Sequence, residues 1–496
     1  MKKGTLILIG VFAVLLAIVL ATRERQVSVG VRKLELPAID KDKVVAIEVA
    51  GPKAASLKKE GANWMVADPA KPDQKYPADE QQINSALDAY KEIKVQDLIS
   101  EKSEKLPEYE LDDAKALKVK FSSQGAPSVE LLLGKAAKGR GVYIREPKSN
   151  AVFAAQGRFQ WMMRKDANAW RKRNMISGKL DDVAEVTVQP KDGDPYVLTN
   201  GGEGVGWKLK EGTKLPDGFR YDPSAGQGLV QQLITLRAQD FIDSPGSDES
   251  LGFAGPHSII EAKLKDGKQV KLHIGKEQPG KENTSKAVAA RLEGDPQVYL
   301  LPSYSATTLS KRATDLRDLS LLSFDPQKVT KLSVVSKGKK TIVTKQGDTW
   351  KVLEPKKLPS GFDFDPAQVT SQLNMLRGLK ASRLINGKLD AAQSGLSNPT
   401  TAVDLTLEGG AHQSLKFGKE AKSDKGKEVY VKGSADALTY AIFEAARSRF
   451  DSGVEIFKKP PAPPPNMMGP GARGLESLPP DVRAKIEAQL RQQQRQ

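Results

Sequence analysis

One stretch of this chain is stated three times, and that repetition limits the possible folds more than any other feature. It occupies residues 64–99 and returns at 207–242 and 350–385. Each copy opens on a tryptophan, Trp64, Trp207 or Trp350, at a constant offset of 143 residues, and no gap is needed. Fifteen residues further on stands an aspartate: Asp79, Asp222 or Asp365. Solenoid units run to about 20–50 residues. A period this long instead describes tandem domains, each large enough for its own core.

The three copies follow one local logic. The tryptophan lies in a strand-like run and a Pro-containing loop follows. The aspartate then falls at a helix N-cap, where its carboxylate accepts hydrogen bonds from free backbone N–H groups. Pro223 and Pro366 come next in copies two and three and suit the first helical position. Behind the cap, Ile83, Leu87, Tyr90 and Ile93 recur on one side of a 3.6-residue turn, as do Val369, Leu373, Leu376 and Leu379. Copy two shows Val230, Leu233 and Leu236, with Gly226 weakening its first turn. Core anchor and helix cap account for the tryptophans and aspartates. The alternative use is three equivalent ligand sites.

Strand patterns surround each block. Runs at 44–49, 183–188 and 329–334 alternate as half-buried strands do. A second run (56–59, 196–199, 341–344) joins the tryptophan strand through a Gly-containing turn, which reads as a hairpin. After the block come Glu110-Leu111, Gly252-Phe253 or Gly395-Leu396, with Pro256 and Pro399 three residues on in copies two and three. Another hairpin follows at 116–121/128–133, 259–264/269–274 and 402–407/413–417, ending in Gly134-Lys135, Gly275-Lys276 or Gly418-Lys419. Those three glycines are expected in turns that need positive φ. Two further strands, such as 142–145 and 152–155, finish each copy.

The pattern is therefore β-β-β-α-β-β-β-β-β plus a terminal helix or coil. Its hairpin-length loops predict an antiparallel-rich α+β fold in three tandem repeats. The expected organisation is a transmembrane anchor at 1–22, a connector at 23–42, repeats at 43–178, 179–323 and 324–459, and a Pro-rich spacer with a short helix at 460–496.

The anchor is read from residues 4–22, which carry no charge between Lys2-Lys3 and Arg23-Glu24-Arg25. At about 1.5 Å per residue they span roughly 28 Å, near the thickness of a bilayer core. Val19-Leu20-Ala21 resembles a signal-peptidase site. The apolar run, however, exceeds the ~7–15 residues of a signal peptide, which favours a retained anchor. The expected location is the cytoplasmic membrane, single-pass, with the bulk of the chain periplasmic.

No chemistry-bearing motif emerges. Cysteine is absent, which excludes thiol catalysis and thiolate metal sites. His257, His273 and His412 occupy unlike positions in the repeats, without metal-ligand spacing. Walker, dinucleotide and nucleophile-elbow signatures are missing. Asp112-Asp113 and Asp181-Asp182 read as turn residues, though two acids suffice for glycoside hydrolysis. No cofactor is expected.

The net charge is +16, with basic and acidic residues interspersed as on a solvated surface. One stretch is denser: Arg158, Arg164, Lys165, Arg171, Lys172 and Arg173, with Phe159, Trp161 and Trp170 between. It reads as an exposed face of the helix that closes repeat one, with contact to anionic lipid or polymer as the alternative. Stacking and charge also suit nucleic acid, but the anchor directs the chain away from it.

The strand-turn-Trp pattern, the Pro and Asp opening a helix, the Gly-Leu-x-x-Pro step and the strand ending in Gly-Lys together resemble the bacterial domain-of-unknown-function family 4340. Repeat one departs, with Glu110 for the glycine and no matching proline. The resemblance implies an envelope protein linked with gliding-motility-type ABC transporter components, and it carries no catalytic residues. The expectation is a non-enzymatic, membrane-anchored periplasmic accessory or scaffold whose partners are integral-membrane transporter subunits. The alternatives are an envelope glycan hydrolase using paired carboxylates and a binding module for anionic polymer.

Overall fold

Alternating burial drives the strands together. In the first repeat Val44, Ile47 and Val49 point to one side and are fully enclosed. The computed structural model describes residues 33–202, 205–279, 286–385, 387, 389–424 and 426–460. The expected anchor at 4–22 and the tail beyond Pro460 lie outside the described residues. Among those described, no helix is long and apolar enough to cross a membrane.

The first repeat contains β1 (Val44–Ala50), β2 (Ala55–Glu60), β3 (Asn63–Ala67), β4 (Lys75–Pro77), α1 (Glu80–Lys91), β5 (Lys94–Ser100), β6 (Leu117–Ser123), β7 (Ala126–Ala137), β8 (Gly141–Arg145) and β9 (Val152–Gln156). The second contains β10 (Val183–Pro190), β11 (Tyr196–Asn200), β12 (Trp207–Leu209), α2 (Pro223–Ile234), β13 (Asp240–Ile242), β14 (Ser258–Leu264), β15 (Gln269–Gln278), β16 (Ala287–Leu292) and β17 (Val298–Pro302). The third contains β18 (Val329–Ser336), β19 (Lys339–Gln346), β20 (Thr349–Glu354), α3 (Pro366–Arg377), β21 (Arg383–Leu384), β22 (Thr401–Leu407), β23 (His412–Ala421), β24 (Glu428–Gly433) and β25 (Tyr440–Phe443). The class is α+β, and every paired strand is antiparallel to its neighbour.

Each repeat builds one sheet. The orders are β4-β3-β2-β1-β6-β7-β8-β9-β5, β12-β11-β10-β14-β15-β16-β17-β13 and β20-β19-β18-β22-β23-β24-β25-β21. The two hairpins meet at β1 and β6, as Ile47 faces Phe121. The strand after the helix pairs at the far edge, so the helix carries the chain across one face of the sheet. Gly226 does not prevent this, because α2 still runs from Pro223 to Ile234.

The helix stripes and tryptophans bury on that face. Trp64, Ile83, Leu87, Tyr90 and Phe121 share one core, and Trp350, Leu373, Leu376 and Phe417 share another. Trp207, Val230 and Leu233 are likewise at most 2% exposed. Asp79 accepts from the Gln82 N–H at 3.2 Å and Asp365 from the Ala367 N–H at 2.9 Å. By contact, the described residues divide into two compact units. One takes in residues up to Leu215 and Pro223–Asp315, and the other Pro216–Asp222 and the residues from Leu316 on. The first two sheets thus share a unit.

The glycines before Lys135, Lys276 and Lys419 differ from the sequence expectation. They lie inside β7, β15 and β23 rather than in positive-φ turns. A segment crosses the outer face of the sheet at each one. A Cβ on Gly134 would lie 2.2 Å from the Tyr109 carbonyl oxygen, and one on Gly275 or Gly418 would lie 2.1 Å from that of Leu251 or Ser394. The left-handed turn falls just after the crossing, at Gly252 (φ 82°), Gly395 (φ 73°) and, in the first repeat, Glu110 (φ 54°). A non-glycine residue is strained there. Gly275→Ala should therefore cost roughly 1–3 kcal/mol or more, while Glu110→Gly should stabilise by up to about 1 kcal/mol. Urea unfolding of the two variants checks both signs.

Burial also sets an alkaline limit. It pushes the Tyr90 phenol up to about 12, and burial with the Asp222 charge does the same to Tyr221. The folded value exceeds the unfolded one, so this stabilisation is complete below about pH 10 and is lost as pH rises toward 12. Thermal melts across that window should show falling stability. Tyr90→Phe, which gives up the bond to the Pro37 carbonyl at 2.9 Å, should make the fall shallower.

Candidate functional site at the repeat junction

The basic stretch 158–173 closes the first repeat and leads into the second, so its cations meet two sheets of one compact unit. Phe159–Met163 and Ala167–Trp170 are short helices that bury Phe159, Met163 and Trp170. The chain then bridges back to Ala78 at Arg171 and forward to Arg237 at Asn174. The Ala238 N–H donates to the Arg173 carbonyl at 2.8 Å, and the Met175 N–H to that of Leu236 at 3.0 Å.

Arg171 is the centre of this junction. It is 3% exposed. Its guanidinium lies 3.5 Å from the centroid of the Tyr76 ring and 3.8 Å from that of Phe241. One terminal nitrogen donates to both oxygens of Asp243 at 2.8 and 2.9 Å, and the other to Gln297 Oε1 at 2.7 Å. Its Nε is enclosed without a partner among the described residues. Cation–π contact and an ion pair enclosed on its arginine side hold the two sheets together through one side chain.

The neighbouring cations are mostly turned inward. Arg164 donates to the Gly134 carbonyl, and Arg173 to that of Gln239. Lys165 donates to Gln82 Oε1 at 2.9 Å and lies over the Trp170 ring. Burial lowers its pKa, against a smaller opposing pull from Asp79. Arg158 is at the surface, paired with Glu92 at 3.0 Å. Lys172 is exposed, with no acidic partner among the described residues. The stretch therefore offers an anionic polymer little free charge, because its sequence density reflects internal bonding at a seam.

The seam recurs. Arg237 meets the cap carboxylate Asp79 at 3.5 Å, and 143 residues on, Lys380 meets Asp222 at 2.8 Å. In the second unit the Ala381 N–H donates to the Leu319 carbonyl at 2.8 Å and the Leu321 N–H to that of Leu379 at 3.2 Å. These repeat the backbone bonds of the first seam. The buried cation changes, however. Arg317 follows the Arg171 backbone in bridging to Tyr221, but Arg220 makes the ionic contacts, to Asp318 and Asp436 at 3.0 Å each. Asp79 thus serves both as cap and as seam acceptor, and Asp222 also accepts from a seam cation, a role the sequence reading missed although the shared offset signalled it.

Elsewhere the titratable groups hold the backbone in place. Asp112 accepts from the Ala114 N–H and Asp182 from that of Lys179, while Asp113 pairs with Arg145. Burial, then the Lys271 charge, lowers the His273 pKa. Among the described residues no three His, Asp or Glu side chains converge as a metal site.

Arg171→Ala should cost more than about 2 kcal/mol, since it empties the enclosed place between the Tyr76 and Phe241 rings, while the Asp243 carboxylate, 42% exposed, can take up water. Arg237→Ala, removing a half-exposed cation, should cost under about 1 kcal/mol. Denaturant unfolding of each variant, with Asp243→Asn as the companion to the first, tests that order.

No curated protein matches the chain. Among solved structures, the DNA polymerase III subunit beta from Pseudomonas aeruginosa matches at 9% identity, covering 81% of this chain and 92% of that one, with a TM-score of 0.13. A putative DNA polymerase III beta subunit from Eubacterium rectale matches at 8% identity, covering 83% and 93%, with a TM-score of 0.12. Likeness at that level carries no argument about fold or function. The model of a domain of unknown function, DUF4340, matches twice, at residues 70–256 and 207–399. Each match runs from the tryptophan-to-helix stretch of one repeat, across a seam, to the Gly–Pro step of the next. Since the two matches together take in residues 70–399, well over half of the chain, this protein belongs to the DUF4340 family.

Proposed function

We propose that the chain is a non-enzymatic accessory protein of the bacterial envelope. Residues 4–22 hold it at the cytoplasmic membrane, and its repeats stand on the periplasmic side, where they serve an ABC-type export or gliding-motility-like complex as a scaffold. One observation carries the reading: the residues the three repeats share are spent on building the modules and joining them. The tryptophans are buried, the aspartates bond helix termini or seam cations, and the glycines admit crossing segments. A catalytic duplication would instead repeat an arrangement of reactive side chains. The uncharged run at 4–22 supports the location, and the association with transporter components that the family resemblance implies supports the partner class.

Fractionation of cells producing the full chain should place it in the membrane pellet, retained after an alkaline wash. Crosslinking in intact membranes should then trap transporter subunits. Recovery in the cytosol would overturn the location, and trapped glycan fragments would favour the hydrolase or polymer-binding alternatives.

A further inference from the structure

One place in the fold is filled in the first and third repeats and open in the second. It lies where the long second strand of the second hairpin bulges after its glycine. The register shifts between Leu133 and Ala136, between Ile274 and Glu277, and between Phe417 and Glu420. A short helix follows the last strand of each repeat: Phe159–Met163, Ser303–Leu309 or Glu444–Ser448.

In the first repeat Gln160, 1% exposed, donates to the Gly141 carbonyl at 2.9 Å, and Arg164 donates to that of Gly134. In the third repeat an ionic network takes the same ground. Arg447 pairs with Glu444 at 2.9 Å and Asp451 at 3.5 Å. Asp451 also accepts from Ser336 Oγ at 2.8 Å and pairs with Lys337 at 2.9 Å.

Counted from the start of the helix, the second repeat puts Ser303, Ala306 and Ser310 where the third has Glu444, Arg447 and Asp451. Both ions of the central pair are gone. Lys191, which like Lys337 is the first residue after its eight-residue strand, remains. Lys191 has no acidic partner among the described residues. A cavity of about 330 Å³ opens there, bordered by Lys191, His257, Lys276, Ser303, Ala306 and Thr307. The one carboxylate on its wall, Glu277, is held by Lys286 at 2.7 Å. Lys276 donates to the Glu249 carbonyl at 3.0 Å, and an ammonium has three protons to give. His257 replaces Thr400 of the third repeat and adds a further polar group on the wall.

We propose that this cavity binds a small oxyanion, a carboxylate or phosphate group, which takes the place of the Asp451 carboxylate and meets Lys191, Lys276 and His257. The volume is at the low end for small-molecule sites, which suits inorganic phosphate or a short dicarboxylate. The site belongs to the second repeat alone, and it extends the accessory role to a protein that responds to a solute.

Isothermal titration calorimetry on the purified full chain, with inorganic phosphate and with succinate, tests this against a chloride control. One saturable site per chain is expected, for the oxyanion class that fits. Lys191→Ala, a change at an exposed residue, should weaken binding about tenfold or more, as loss of a charge-assisted hydrogen bond does. Ala306→Arg combined with Ser310→Asp installs the third repeat's pair and should abolish binding, with the circular dichroism spectrum and melting temperature preserved. No saturable heat with either anion, three sites per chain, or an affinity that Lys191→Ala leaves unchanged would overturn the proposal. Should the double variant not fold, Lys191→Ala decides.

Discussion

Each repeat depends on burying one apolar helix stripe against one face of a sheet. The helix carries twelve residues, is capped by Asp79 in the first repeat and Asp365 in the third, and lies between the strands of the two sheet edges in the chain. Its stripe rests on the same face as the tryptophan, so ring and helix exclude water together. The crossing also sends the next strand to the far edge, where it pairs with the last strand of the repeat. Without that burial the two hairpins would have little to hold them in one register, because an isolated hairpin is marginal in water.

The opposite face is governed by close approach. Leu111 with Leu132 in the first repeat, and Leu251 with Phe253 in the second, form small outer clusters. They reach the sheet only because glycine leaves room for a carbonyl at the crossing. The three repeats solve the next turn differently: two use glycine and one holds Glu110 in the left-handed region. The same geometry is therefore met with unequal strain.

The seams show which parts of a repeat tolerate change. Backbone pairing between the linker and the residues after the next helix is the same at both seams, and so is the contact of a cation with the repeated aspartate. The enclosed guanidinium, by contrast, is Arg171 at one seam and shares its task with Arg220 at the other. Backbone bonds need only the right spacing, whereas a buried cation needs its own set of partners. Both family matches cross a seam, so the recurring unit of the family includes the joint as well as the module. The open pocket of the second repeat follows the same rule of divergence: the scaffold stays and the side chains that filled it are replaced.

Local rules made much of this legible in advance. Strand alternation, the Asp caps and the Pro at the first helical turn each act over a few neighbours, and together with the constant 143-residue offset they point to three α+β repeats with the observed order of strands and main helix, apart from the additional β4 of the first repeat. Sheet order and the crossing of each helix were not legible, because pairing at a far edge depends on which distant segments compete for it. The role of Gly134, Gly275 and Gly418 was hidden for a similar reason: what they admit is the backbone of a segment more than twenty residues earlier in the chain. The basic stretch was conspicuous, but its meaning lay elsewhere. Arg171 is claimed by Asp243, 72 residues away, and by Gln297, 126 residues away. Composition records that a charge is present. Only the tertiary structure decides whether it faces water or a buried partner, since that depends on surfaces brought together from distant parts of the chain.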